Sequence, residues 1–235
     1  MDSQGVPNLV SVAKIFEFRE EMSLAEVAKR LKDYSVQEIF SAEEKDLELL
    51  TEIKDLRVRK NQLRGLFSRD KVIMINQRGN ILPIVKTIEA PLVIHELQGK
   101  TFLSVLQEKY FANSVASVLS QILFVTFGGI VEAQIPSATL QEFHERNPDA
   151  TKVIFFDDVD VPNVDRLALY GSALKDSTLY EQYLSHGKIW YVVYTSRSRG
   201  LVIGLTRNCV VTCFSKIDEQ ELVDYVEDEI FGLIR

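Results

Sequence analysis

Phe155-Phe156-Asp157-Asp158-Val159-Asp160 is the densest chemical constellation in the chain. An apolar run that ends in carboxylates places hard oxygen ligands at the end of a strand, an arrangement suited to magnesium-dependent phosphoryl chemistry. Asp157, Asp158 and Asp160 are therefore candidate metal ligands, and a metal-dependent enzyme acting on phosphate is one functional reading. Two features oppose it. No G-x-x-x-x-G-K-[ST] run exists to cradle a phosphate, and Val161 and Pro162 stand where a calcium loop needs a ligand and a glycine. A turn capped by Asp158 or Asn163 accounts for the same residues. His95, His144 and His186 are dispersed, and no C-x-x-C, G-x-S-x-G or G-x-G-x-x-G run occurs. The expectation is a protein without catalysis and without a cofactor.

Basic residues form a second set of candidates. Arg197 and Arg199 lie in one predicted turn and Arg207 in the next, beside Trp190 and Tyr194 on the preceding strand. Guanidinium forks next to aromatic faces suit single-stranded nucleic acid or a phosphorylated ligand. Arg57, Arg59, Lys60 and Arg64 belong to a basic stretch from Lys54 to Lys71, where seven bases face two acids, 7 − 2 = +5. A nucleic-acid-associated regulator is thus an alternative reading. Against it, the whole chain carries 27 − 34 = −7 with a pI near 5.1, and non-specific nucleic-acid binding takes its affinity from cations. Residues 23–39 have the outline of a helix-turn-helix, but Glu38, Glu43, Glu44 and Asp46 give its second helix the wrong sign.

These side chains need elements to position them, and the fold class expected is α+β with a helical region over residues 1–70. Ser11 to Phe18 reads as a short helix. Ser23 with Glu26 forms a capping box for a helix to Leu31. Ser41 with Glu44 opens a longer one, and Leu49, Ile53, Leu56, Leu63 and Phe67 then recur at spacings of four and three, with Lys60 filling the gap. That pattern predicts a coiled-coil seam over Ala42 to Phe67. From Glu38 to Glu52 six acids face one base, 1 − 6 = −5, so acidic and basic halves succeed one another. Part of that polarity suits the helix macrodipole. The remainder fits antiparallel pairing of two copies, so a homodimer is expected.

Residues 71–235 read as an α+β domain: a mainly antiparallel sheet packed on a long buried helix and a C-terminal helix. Val72 to Asn76 and Ile81 to Ile88 flank Gln77-Arg78-Gly79-Asn80, a hairpin signal, with Pro83 marking an edge. A long uncharged helix is expected over Thr101 to Phe127. Tyr110 to Val131 holds 22 residues without a charge, enough to span a bilayer, but polar residues recur through its first half and no membrane span is expected. Residues 130–187, an inserted segment on this reading, hold strands at 130–135 and 152–156 and helices at 139–146, 165–175 and 178–185. Ile189 to Thr195, Leu201 to Leu205 and Asn208 to Phe214 form a three-stranded meander. Asp218 with Glu221 caps a closing helix striped by Leu222, Val226, Ile230 and Leu233. No internal repeat is visible.

Only Cys209 and Cys213 are present, about 13 Å apart along one strand, so they neither pair nor chelate together. A reduced cytoplasmic setting follows. The leading expectation is a non-enzymatic protein–protein interaction or regulatory module that self-associates.

Overall fold

The computed structural model describes residues 10–41, 46–124, 128–147 and 149–234. Twelve strands dominate it, with 46% of the described residues in strand and 28% in helix. The helix-packed α+β arrangement with a helical N-terminal region is therefore overturned: the fold is mostly antiparallel sheet carrying five short helices. It divides into two compact units, Phe16–Val131 and Met1–Ile15 with Glu132–Arg235.

The first unit takes the second half of β1 (Ser11–Phe18), then α1 (Leu24–Leu31), β2 (Ser35–Ser41), β3 (Asp46–Arg59), β4 (Gln62–Gln77), β5 (Asn80–Leu97), β6 (Lys100–Val105) and α2 (Lys109–Phe124). Its strands lie in the order β2-β3-β4-β5-β6-β1. Leu24, Val27 and Leu31 of α1 and Val115, Leu119 and Leu123 of α2 cover the buried face formed by Phe67, Leu92, Ile94 and Leu103. Ser23 caps α1, its hydroxyl accepting from Glu26 N at 3.3 Å, while the Glu26 carboxylate pairs with Arg30 and does not complete the expected capping box.

The predicted coiled coil is instead the β3–β4 hairpin. Spacings of four are even numbers, so Ile53, and Leu63 with Phe67 on the partner strand, also satisfy the two-residue period of a strand. The odd step to Leu56 crosses an irregularity between Lys54 and Arg57, where Asp55 takes φ 55°. Ile53, Leu63 and Phe67 are core residues, Leu56 packs against them, and Leu49 is half-buried. They are therefore not available as an association seam. Gly65 lets Leu56 lie across β4, since a Cβ at that position would come within 2.8 Å of Leu56 Cδ2 and displace that side chain. The proposed capping partner Glu44 lies outside the described residues. Residues 11–18 form β1, residues 35–39 lie in β2 and leave no second helix for a helix-turn-helix, and residues 101–105 form β6, so the long helix begins only at Lys109. The end proposed for that helix, Phe127, lies outside the described residues. In the hairpin turn Arg78 and Gly79 both have positive φ, 55° and 88°, the type I′ geometry that matches strand twist.

The division falls within β7 (Ile130–Glu132), after Val131, and the second unit then contains α3 (Ser137–Arg146), β8 (Thr151–Asp157), β9 (Leu167–Tyr170), α4 (Thr178–His186), β10 (Lys188–Thr195), β11 (Val202–Thr206), β12 (Val210–Cys213) and α5 (Glu219–Tyr225). Its strands follow β9-β8-β10-β11-β12, and β12 pairs with the first half of β1 at Ser11↔Cys213. Residues 165–175 give β9 and a short 3-10 turn in place of a helix. Asp218 caps α5 with a full capping box. Ile154, Phe156, Val192, Tyr194, Leu205 and Tyr225 are buried in its core.

Candidate functional site

The β4–β5 ribbon is the longest pairing in the protein, in unbroken register from Gln62↔His95 to Gln77↔Asn80. Its outer neighbours stop early: β3 pairs with β4 only as far as Arg69, opposite Thr51, and β6 with β5 only as far as Leu92, opposite Val105. From Asp70 and Thr87 to the tip, each strand has only the other as a strand partner among the described residues, and the last side-chain ties at the base are Leu50 N donating to Asp70 Oδ2 at 3.0 Å and Lys71 over the Phe111 ring. This arm carries Ile73, Met74, Ile75, Ile81, Leu82, Ile84 and Val85, seven of the fifteen large apolar side chains exposed among the described residues. Met74 and Ile81 are 59% and 68% exposed. Alternation along each strand puts apolar residues on both of its faces. A lone two-stranded ribbon is marginally stable in water. A concentrated apolar patch marks an interaction surface, and an open flat edge invites pairing. The charges of residues 71–88 are all positive, Lys71, Arg78 and Lys86. Pro83 denies β5 a backbone donor there.

The hairpin was legible in residues 72–88, but its protrusion was not. The one signal available is the absence of polar alternation in Val72-Ile73-Met74-Ile75 and Ile81-Leu82-Pro83-Ile84-Val85, which leaves neither face suited to water.

The three aspartates lie at and just beyond the end of β8 as predicted, and each has a nitrogen partner: Arg207, Lys188 and the His186 ring. Asp157 accepts from Arg207 Nη2 at 2.8 Å, Asp158 lies 3.4 Å from Lys188 Nζ and 4.0 Å from Arg207 Nη1, and Asp160 meets His186 Nδ1 at 2.8 Å. Among the described residues no three metal-ligating side chains converge. The carboxylates are arranged as ion pairs closing the end of β8 onto β10 and the β11–β12 turn.

The predicted arginine and aromatic set is dispersed. Tyr194 is a core residue whose hydroxyl meets that of Tyr225. Burial, with the neighbouring phenol and Glu229, pushes its ionisation far up; burial pushes Tyr225 up to about 12, against the lowering effect of its hydrogen bond with Tyr194. Arg199 pairs with Asp228 and lies over the Tyr225 ring at 6.0 Å. Arg197 is exposed in the same turn. Trp190 is the extra residue of a bulge, since Ile189 opposes Phe156 and Tyr191 opposes Phe155. It joins Phe155, Tyr191 and Tyr170 in a half-buried to exposed aromatic face, with centroids of neighbouring rings 5.5–5.9 Å apart, and Arg166 lies over its ring at 5.1 Å.

Arg57 and Arg64 are cross-strand partners in β3–β4, Arg59 opposes Gln62, and Lys60 sits in the turn with φ 50°. Arg64 donates to Gln62 Oε1 at 2.9 Å. Burial holds the His95 ring down at about 4, and the positive charge of Arg64 acts in the same direction. Cys209 and Cys213 are free and buried, and burial pushes the Cys209 thiol up to about 12, which keeps it unreactive. No described helix is long and apolar enough to cross a membrane. No protein-family model matches the chain, and no curated protein matches it.

Proposed function

We propose that the chain is a non-enzymatic protein–protein interaction and regulatory protein that self-associates, and that the β4–β5 arm is the element with which it docks. The carrying observation is the position of the exposed apolar surface. Nearly half of the large exposed hydrophobics sit on a ribbon that has left its neighbouring strands. A cytoplasmic, reducing setting fits the two free buried thiols. Light scattering tests the reading. The full chain is expected at twice 26.8 kDa, and a variant with Ile73, Met74, Ile81 and Ile84 all changed to Thr at the single mass with unchanged thermal unfolding. A full chain that stays at 26.8 kDa at every concentration overturns self-association.

The aromatic face of β8, β9 and β10 supports a second reading, binding of single-stranded nucleic acid by stacking. Trp190 is the only tryptophan, so its fluorescence reports that face directly. Quenching by an oligonucleotide that weakens steeply with salt supports this reading; unchanged emission removes it.

A further inference from the structure

We infer that the arm's receiver is the same arm of a second copy, packed antiparallel about a two-fold axis through one particular face. The inference rests on the arm reading and adds partner, face and register. Directly opposed residues of an antiparallel pair share a face, so the register sorts the ribbon. One face carries Val72, Met74, Ile81, Pro83 and Val85, with Asp70 and Glu89 at its base. The other carries Ile73, Ile75, Leu82 and Ile84, with Lys71 and Lys86 at its base. Lys71 is already engaged over the Phe111 ring at 5.1 Å. Arg78 forms the tip.

A two-fold contact brings each patch onto its own copy, so the patch must complement itself. Laid antiparallel, the tip of one arm reaches the base of the other. On the Met74 face this sets Arg78 beside Asp70 and Glu89 of the other copy; Asp70 also accepts from Thr87 Oγ1 at 2.6 Å and from Leu50 N at 3.0 Å, and Glu89 also meets Lys54 Nζ at 3.5 Å, but two acids against one base leave this end acidic, opposite to Arg78, around an apolar centre. On the Ile73 face it sets Arg78 beside Lys71 and Lys86, like charges, which selects against that arrangement. The Met74 face also holds the two most exposed apolar side chains of the arm. Arg78 is eight residues from Asp70, about 26 Å of strand, and the midpoint is Met74, which places the axis there. A lipid surface is the poorer receiver, since two unpaired strand edges would enter hydrocarbon.

Single cysteines in the full chain test the face. Met74→Cys is expected to give a disulfide-linked dimer under mild oxidation and Ile73→Cys to remain unlinked, with Cys209 and Cys213 silent because they are buried. Charge exchange tests the register: R78E and E89R each weaken the dimer about tenfold, because each contact occurs twice about the axis, and the double variant restores it. Crosslinking through Ile73 and not Met74 overturns the face, and a double variant no better than the singles overturns the register. In both cases a dimer that is still lost on threonine substitution leaves the arm reading standing. A chain that is monomeric at every concentration, with or without vesicles of anionic lipid, overturns both.

Discussion

Asp157, at the end of β8, and Arg207, fifty residues along the chain in the β11–β12 turn, form an ion pair of 2.8 Å with side chains 25% and 30% exposed. The backbone N–H of Arg207 also donates to Trp190 O at 2.7 Å, so one residue fastens the turn to both β8 and β10. The pair gives Asp157, one of the three candidate metal ligands read from the sequence, a structural role of its own.

That ion pair is expected to contribute measurably to stability. A double-mutant cycle with Asp157→Asn and Arg207→Gln should give a coupling energy of about 1 kcal/mol, the upper end of the usual range for exposed pairs, because both groups are partly buried. Urea midpoints of the four proteins measure it, and additive single effects would show that the two side chains do not cooperate.

The shared hydroxyls of Tyr194 and Tyr225 lead to a second expectation. Removing one, in Tyr225→Phe, leaves the other buried without its partner and should cost about 1–3 kcal/mol. Removing both should cost less than the two single losses together. Because Tyr225 is held up to about 12 against an ordinary 10.0, the folded state keeps a proton that the unfolded state releases. Stability from this residue is complete below pH 10 and falls as pH rises towards 12. Denaturation between those values should be shallower in Tyr225→Phe.

His95 works in the opposite sense. Burial, reinforced by Arg64, lowers it from 6.5 to about 4, so the unfolded chain takes up a proton more readily than the folded one. Its contribution is complete above pH 6.5 and is lost as pH falls through about 4, on the order of 3 kcal/mol in all. His95→Gln should flatten this acid limb of the stability profile; an unchanged limb would assign it to carboxylates.

The local signals in the sequence were accurate where local chemistry decides structure. The Ser23 and Asp218 caps, the Arg78-Gly79 turn and the three-stranded meander all formed as read, because hydroxyl or carboxylate caps and positive-φ turns act within four residues. The N-terminal third failed because period alone cannot separate two structures when the spacings are even. Leu49, Ile53, Leu63 and Phe67 fit a helix face and a strand face equally, and the irregularity at Asp55 supplied the odd step that imitated a heptad. The arm's chemistry was visible as an apolar hairpin. Its isolation depended on where β3 and β6 stop pairing, which no pattern within residues 72–88 encodes.

The arm should exchange its amide protons on two scales within the same pair of strands. Amides of Leu63 to Phe67 and Leu92 to Ile94 are flanked by further strands and by the α1–α2 core, so they open only with the unit. Amides of Val72 to Ile75 and Ile81 to Val85 have a single partner strand and water on both sides, and local opening there needs far less than global unfolding. In dilute protein the arm is expected to exchange at least a hundredfold faster than the base of the same ribbon. As concentration rises and arms meet, its protection should climb while that of Leu92 to Ile94 stays fixed. Protection that is uniform along β4 and β5 in dilute monomer would mean that the ribbon is braced within one copy, and the exposed apolar residues would then need an explanation other than docking.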